Sequence, residues 1–386
     1  MLSQVHNGLP SDWFGLGRGT VSPRERVRTA LSHREPDRVP VCFWAVPEVE
    51  QRLQRYFGGV SQNEVLQRLR VDVRWVYPAY VGPQRTLPGG VTIEPFGSWR
   101  KEVEHGFGAY HEFAGHPLAY VRTAADVQAW DWPKTEYWDM DKVRDEIVQL
   151  DAEDEYFICY FSGGIFERAW GLRGLEQFLV DLVDNPDVPC TIMDCLTDLY
   201  IANVTRVLET CNGRIDMVYT WDDLAHQHGL IMSPAMWRKY ILPQHQRLHA
   251  AIRSFGVNIM YHSCGAIRPL IPALIEELGI DVLNPLQPRA DGMDLARIKE
   301  EFGDRVCFHG GVDIQHTLPH GDPTEVVAEV RERIAVLGKG GGYILSTAHA
   351  IQNDTPTENI LAMYRTPRDV SWDGTVKIGQ CLAWQP

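Results

Sequence analysis

Residues 257–287, VNIMYHSCGAIRPLIPALIEELGIDVLNPLQ, decide how the whole chain is read. An apolar run at 257–264 stops at Gly265, a segment with helical spacing follows at 267–278, and a second apolar run fills 280–287. Strand, helix and strand in that order point to a parallel sheet, because parallel neighbours need a crossover that a helix supplies. Strand residues two apart share a face, so His262 and Cys264 project side by side and could reach one metal ion.

The same grammar extends outward. Further strand-like runs lie at 39–44, 71–79, 156–164, 215–221, 305–311 and 342–349, and helical segments at 234–254, 293–302, 323–337 and 356–364. Eight strands alternating with helices predict an α/β fold, a (β/α)8 TIM barrel. The alternative, an open doubly wound sheet, lacks a Gly-x-Gly-x-x-Gly turn after the first strand. Ser22, Pro23 and Glu25 read as a capping box that opens a helix ahead of the barrel. The stretch 82–135 breaks the rhythm with short β-like runs between Gly and Pro turns, which predicts an antiparallel insertion after the second strand. The expected organisation is a flexible leader (1–21), one domain (22–365) and a C-terminal tail (366–386).

Composition bounds the partners. A net charge of −14 over 386 residues, with no cluster of Lys and Arg, argues against nucleic acid and anionic membrane surfaces. No window approaches the length of an apolar membrane span, and no signal-peptide core opens the chain. The eight cysteines are scattered without a disulfide rhythm, which fits a soluble protein of the reducing cytoplasm. Small molecules or another protein are the partners that remain.

Barrel enzymes place their chemistry at the C-terminal ends of the strands. The polar residues there are Glu167, Asp222, Asp223, His262, Cys264, Asn284, Gln287, His309, Asp313 and His349. His262, Cys264 and His349 are candidate zinc ligands, since zinc takes three or four N, S or O donors and a catalytic site keeps one position open. Plainer readings stand beside these. A lone His-x-Cys is a weak motif, Asp222 and Asp223 are placed to cap the next helix, His309 could be a satisfied core histidine, and Cys42 and Cys307 read as inert core.

Six ordered blocks, RERVRTALSHREPDRVPV, FERAWGLRGLEQFL, WDDLAHQHGLIMSPAMWRKYILP, YHSCGAIRPLIPALIEELGIDVLNPLQP, FHGGVD and AHAIQNDTPTENILAMY, resemble the uroporphyrinogen decarboxylase superfamily from about residue 22 to 364. The resemblance implies a single (β/α)8 barrel and one of two activities: cofactor-free decarboxylation of a tetrapyrrole, or zinc-dependent methyl transfer involving a corrinoid protein or coenzyme M. The decarboxylases carry carboxylate-binding arginines where this chain has VCFWAVPEVEQRLQRY, with Glu48 and Glu50. The methyltransferases carry a His-x-Cys pair, matched by His262 and Cys264, and a distant cysteine, where this chain has Thr347-Ala348-His349. Either His349 replaces that thiolate, or zinc is absent and His349 touches substrate.

One thiolate and two imidazoles leave a bound Zn2+ with net positive charge, a stronger Lewis acid for a leaving oxygen than the two-thiolate set. The expectation is therefore a zinc-dependent methyltransferase of the O-demethylase type. It would move a methyl group from a small, for instance methoxyaromatic, donor to a corrinoid, with Glu167, Asp222 and His349 as catalytic groups. Tyr219, Trp221, Asn284, Gln287 and His309 would line the substrate pocket. No Asp-x-His-x-x-Gly module is present, so the corrinoid (cobalamin) would arrive on a partner protein or free in solution; the resemblance is compatible with a homodimer. The alternatives are a cofactor-free decarboxylase or lyase on a small carboxylic acid, with His349, Asp222 and Tyr219 moving protons, and a corrinoid- or tetrapyrrole-binding barrel without chemistry.

Overall fold

The computed structural model describes residues 21–105, 108–153 and 155–377. The leader expected at 1–21 lies almost wholly outside them, as does the end of the tail from 378.

Thirteen strands are present among the described residues. They are β1 (Val73–Val76), β2 (Arg85–Leu87), β3 (Val91–Ile93), β4 (Trp99–His105), β5 (Gly108–Gly115), β6 (Phe157–Gly164), β7 (Met217–Trp221), β8 (Ala225–His226), β9 (Gly229–Leu230), β10 (Asn258–His262), β11 (Val282–Leu286), β12 (Cys307–Val312) and β13 (Tyr343–Thr347). Seven of them form one parallel sheet in the order β1-β6-β7-β10-β11-β12-β13. Helices fill the crossovers, so the architecture is an α/β, TIM-barrel-like fold. Strands β2 to β5 form a separate antiparallel sheet between β1 and β6.

The run expected as the first strand, 39–44, is not one. It makes one isolated parallel bridge, Val41 to Leu345, and Ala45 just past it makes another to Ile351. Pro40 has no N–H to give, and the Val41 N–H goes to the Asp72 carboxylate at 2.8 Å instead of a neighbouring strand. The segment still hydrogen-bonds at both edges of the sheet: Val41 O accepts from Asp72 N, and Cys42 N donates to Leu345 O. Several expected helices also differ, 267–278 and 323–337 by π turns at Leu274–Leu278 and Ile334–Gly338. In 234–254 a π turn at Trp237–Ile241 separates Pro234–Met236 from Leu242–Arg253, because Pro243 cannot donate to the preceding turn. The last helix runs past 364 to Asp369, so the first residues of the expected tail are helical, and Trp372 beyond them donates its indole N–H to Pro36 O.

The parallel strands are apolar on both faces, as strands covered by helices outside and packed inside must be. Ile158, Val218, Ile259, Leu283, Phe308 and Leu345 join the larger core with the helices, while Cys42, Phe157, Cys159, Met217, Met260, Val282, Cys307 and Ile344 form a second cluster inside. Burial pushes the Cys42 and Cys307 thiols up to about 12, in keeping with inert packing. At the N-terminal end of the sheet, arginines of the first helix meet buried acids. Arg26 reaches Asp72 at 2.7 Å, and Arg24 and Arg28 share Asp216 at 3.1 and 2.7 Å. The Arg-rich first block is thus a plug for one end of the barrel, and the other end is left for the site.

Candidate metal and active site

The C-terminal ends of β10 and β13 bring three donors together. Ligand atoms of His262, Cys264 and His349 lie within 4.8 Å of one another, a grouping that could hold a metal ion. His262 Nε2 is 3.2 Å from Cys264 Sγ, close to the edge of a zinc coordination tetrahedron with bonds of about 2.0–2.3 Å. Gly265 makes the loop after Cys264: its φ is +85°, and a Cβ there would sit 2.6 Å from His226 O. Only glycine fits this turn without displacing backbone. His349 follows β13, where Ala348 N donates to Val312 O and the Thr347 hydroxyl to His349 O.

Asn284 lies on β11 between two histidines. Its Oδ1 is 2.5 Å from His262 Nδ1, and its Nδ2 is 2.5 Å from His309 Nδ1. The first contact keeps a proton on His262 Nδ1 and points Nε2 at Cys264, the arrangement that outer partners impose on metal-binding imidazoles. Burial works against a charged His262, but Cys264 and Asp223 outweigh it and hold its pKa well above the usual value in the metal-free protein. A metal entering there displaces the Nε2 proton, together with that of the Cys264 thiol. Burial pushes the Cys264 thiol up, with His262 pulling the other way. Burial, reinforced by the charge of His262, pushes His349 down to about 4, so it is a neutral donor at pH 7. The three residues therefore fit a zinc ion in geometry and in donor chemistry.

The two neighbouring aspartates part company. Asp222 is fully buried, and its carboxylate accepts from the backbone N–H groups of Ile165, Phe166 and Glu167 at 3.3, 2.9 and 2.8 Å. It also accepts from His245 Nε2 at 2.5 Å. These bonds make it a cap for the helix Phe166–Arg173. Asp223 faces the donors instead. Its Oδ1 accepts from Cys264 N at 2.9 Å and lies 3.5 Å from His262 Nε2, with the side chain 43% exposed. Glu167, at the start of the capped helix, is half-buried, and burial, then Asp223 and Asp222, push its pKa up to about 7.

Of the residues expected to line a pocket, Tyr219 and Trp221 are aromatic neighbours of the donor group. Tyr219 lies 5.7 Å from the His262 ring and stacks on Phe161 at 4.9 Å, with Trp221 4.5 Å from Phe161. Gln287 holds the loop: its Oε1 accepts from Gly265 N and its Nε2 donates to Gln227. Asn284 bridges the two histidines. Trp44, absent from the expected set, stacks on His349 at 4.9 Å and 30° and stands edge-on to His262. With Trp75 at 5.3 Å from Tyr219 it extends an aromatic wall beside the donors.

A parallel α/β sheet with a metal-competent His/Cys/His group at its carboxyl ends defines the class: a barrel-type enzyme scaffold. The family model for uroporphyrinogen decarboxylase (URO-D) matches residues 113–370, and the chain belongs to that family. Relatives fall on both of its branches. A methylated-thiol–coenzyme M methyltransferase of Methanosarcina mazei is 24% identical over 204 residues, 53% of this chain and 51% of the relative. A uroporphyrinogen decarboxylase of Syntrophotalea carbinolica is 26% identical over 250 residues, 62% of this chain and 67% of the relative. The match thus spans about half the length of the first relative. Among solved structures, a methyltransferase from Methanosarcina mazei superposes with a TM-score of 0.66 at 19% identity, over 90% of this chain and 98% of that one, and shares the fold.

Proposed function

We propose that this protein is a zinc-dependent methyltransferase that moves a methyl group from a small methoxyaromatic donor to a corrinoid, carried by a partner protein or free in solution. The observation that carries the reading is the convergence of His262, Cys264 and His349 beside an aromatic wall. The matched methyltransferase relative supports it. In this reading residues 40–46 serve as the eighth stave of the barrel and residues 85–115 as an insertion after its second strand. Bound by the three donors, Zn2+ would supply a Lewis acid for the leaving oxygen. The residues do the rest. Trp44, Tyr219 and Trp221 flank an aromatic ring and exclude water, and Glu167 holds the proton that the leaving oxygen needs.

The direct test mixes zinc-loaded protein, a methoxyaromatic donor and cob(I)alamin, and follows methylcobalamin by absorbance. Methylcobalamin that forms with zinc and not after chelation is the expected result. The carboxy-lyase alternative draws on the decarboxylase relatives. It requires activity on a carboxylic acid that survives chelation without corrinoid, and that outcome would replace the proposal.

Two variants probe the chemistry. Glu167 is protonated below about 7 and deprotonated above. A rate that uses its proton is therefore full at low pH and falls about tenfold per pH unit above the pKa; the positive metal site shifts that limb lower. Glu167→Gln is expected to lose the limb from the pH profile of kcat and to lower kcat by roughly 10²–10⁴-fold. His349→Cys restores the two-thiolate set and removes the net positive charge from the metal centre. Zinc is expected to stay, with kcat on an oxygen donor at least roughly tenfold lower, a difference of about 1.4 kcal/mol. Unchanged kcat in that variant would sink the electrostatic argument.

A further inference from the structure

His309 has a proton with nowhere to go. Its ring is buried on β12, facing inward like Cys307 two residues before it, and burial with the nearby His262 pushes its pKa down to about 3, so the ring is neutral. A neutral imidazole carries one N–H. Asn284 Nδ2 donates to His309 Nδ1, so the proton must sit on His309 Nε2, and that atom has no hydrogen-bond partner. The opposite orientation of the carboxamide would set its NH2 against His262 Nδ1 and leave that ring the wrong tautomer for a ligand. A buried N–H without a partner is costly and rare.

We propose that Asn284 is a positioning residue that holds the proton on His262 Nδ1 and fixes His309 as the Nε2–H tautomer, and that the orphan His309 Nε2–H is the donor that receives an acceptor atom of the substrate. The inference rests on the methyl-transfer reading and narrows its substrate class. The donor molecule must carry, besides the methyl-bearing oxygen, a hydrogen-bond acceptor such as a phenolate, second ether or carboxylate oxygen. A substrate with only an N–H or an apolar group at that place would be refused.

The test begins with ¹⁵N-histidine NMR of the metal-free full-length chain. The expected result is the Nε2–H tautomer for His309, and an Nδ1–H tautomer would overturn the inference whether or not zinc binds. Zinc affinity, read by competition with a chromophoric chelator, is expected to weaken by roughly 10–100-fold in Asn284→Ala. Unchanged affinity there would remove the positioning role. Among methoxyaromatics, His309→Leu is expected to raise KM at least tenfold for a donor with a second acceptor oxygen while zinc stoichiometry is kept, and His309→Gln to restore part of it through its amide N–H. Equal KM in wild type and His309→Leu would refute substrate contact. If instead the tautomer and zinc results hold and no methyl is transferred from any donor, the methyl-transfer reading has failed and the tautomer relay has not.

Discussion

Cys264→Ala is expected to take the protein from about one zinc per chain to none and to lower methyl transfer by at least roughly 10³-fold. The thiolate is the one anionic donor of the three, and it lies 3.2 Å from His262 Nε2, so its loss leaves two neutral imidazoles for a dication. The fold has little reason to suffer. Cys264 is only partly buried, and its backbone N–H still reaches Asp223. The natural controls are Cys42→Ala and Cys307→Ala. Both thiols lie sealed in the inner cluster, so those variants are expected to lose some stability and keep the zinc. Elemental analysis beside a circular-dichroism melt separates the outcomes. Stoichiometric zinc in Cys264→Ala would mean that the ion sits elsewhere and that His262 and Cys264 only resemble a ligand pair.

What could be read ahead of the structure follows from the physics of each feature. Runs such as 156–164 and 215–221 are legible because strands buried on both faces are continuously apolar, and the strand-end rule then collects His262, Cys264 and His349 from distant parts of the chain. The run 39–44 misleads for the same reason. It is apolar enough for a strand, but the Asp72 carboxylate that takes the Val41 N–H arrives from 31 residues away and leaves no trace in local pattern. Trp44 closes that run, at the kind of strand end where functional side chains gather. Asp222 and Asp223 could not be told apart, because adjacent residues past a strand end point in opposite directions and only the fold says which way is in. Asn284 and Gln287 are legible only as polar residues at a strand end. Their partners, two imidazoles for one and a loop N–H for the other, depend on which strands are neighbours and on a register shift between Leu283 and Leu286.

The sharpest separation of support from chemistry comes from Asp222. Asp222→Ala leaves three backbone N–H groups and the His245 N–H without their acceptor in a place closed to solvent. Each unsatisfied buried donor costs about 1–3 kcal/mol, and partial relief by water and local fraying brings the expected loss to roughly 3–5 kcal/mol. The measurement is the urea midpoint, which is expected to fall with little change in slope. Activity is expected to fall too, since Glu167 N is one of the three groups that Asp222 holds and the helix carrying the proposed proton donor starts there. The two roles differ in what accompanies that loss. A proton carrier at Asp222 would leave stability intact and change the pH profile, whereas a cap lowers stability and leaves the Glu167 limb in place on whatever activity survives. With four donors on its two oxygens, three of them on Oδ2, Asp222 is committed to holding the start of this helix, and so the cap is the outcome expected.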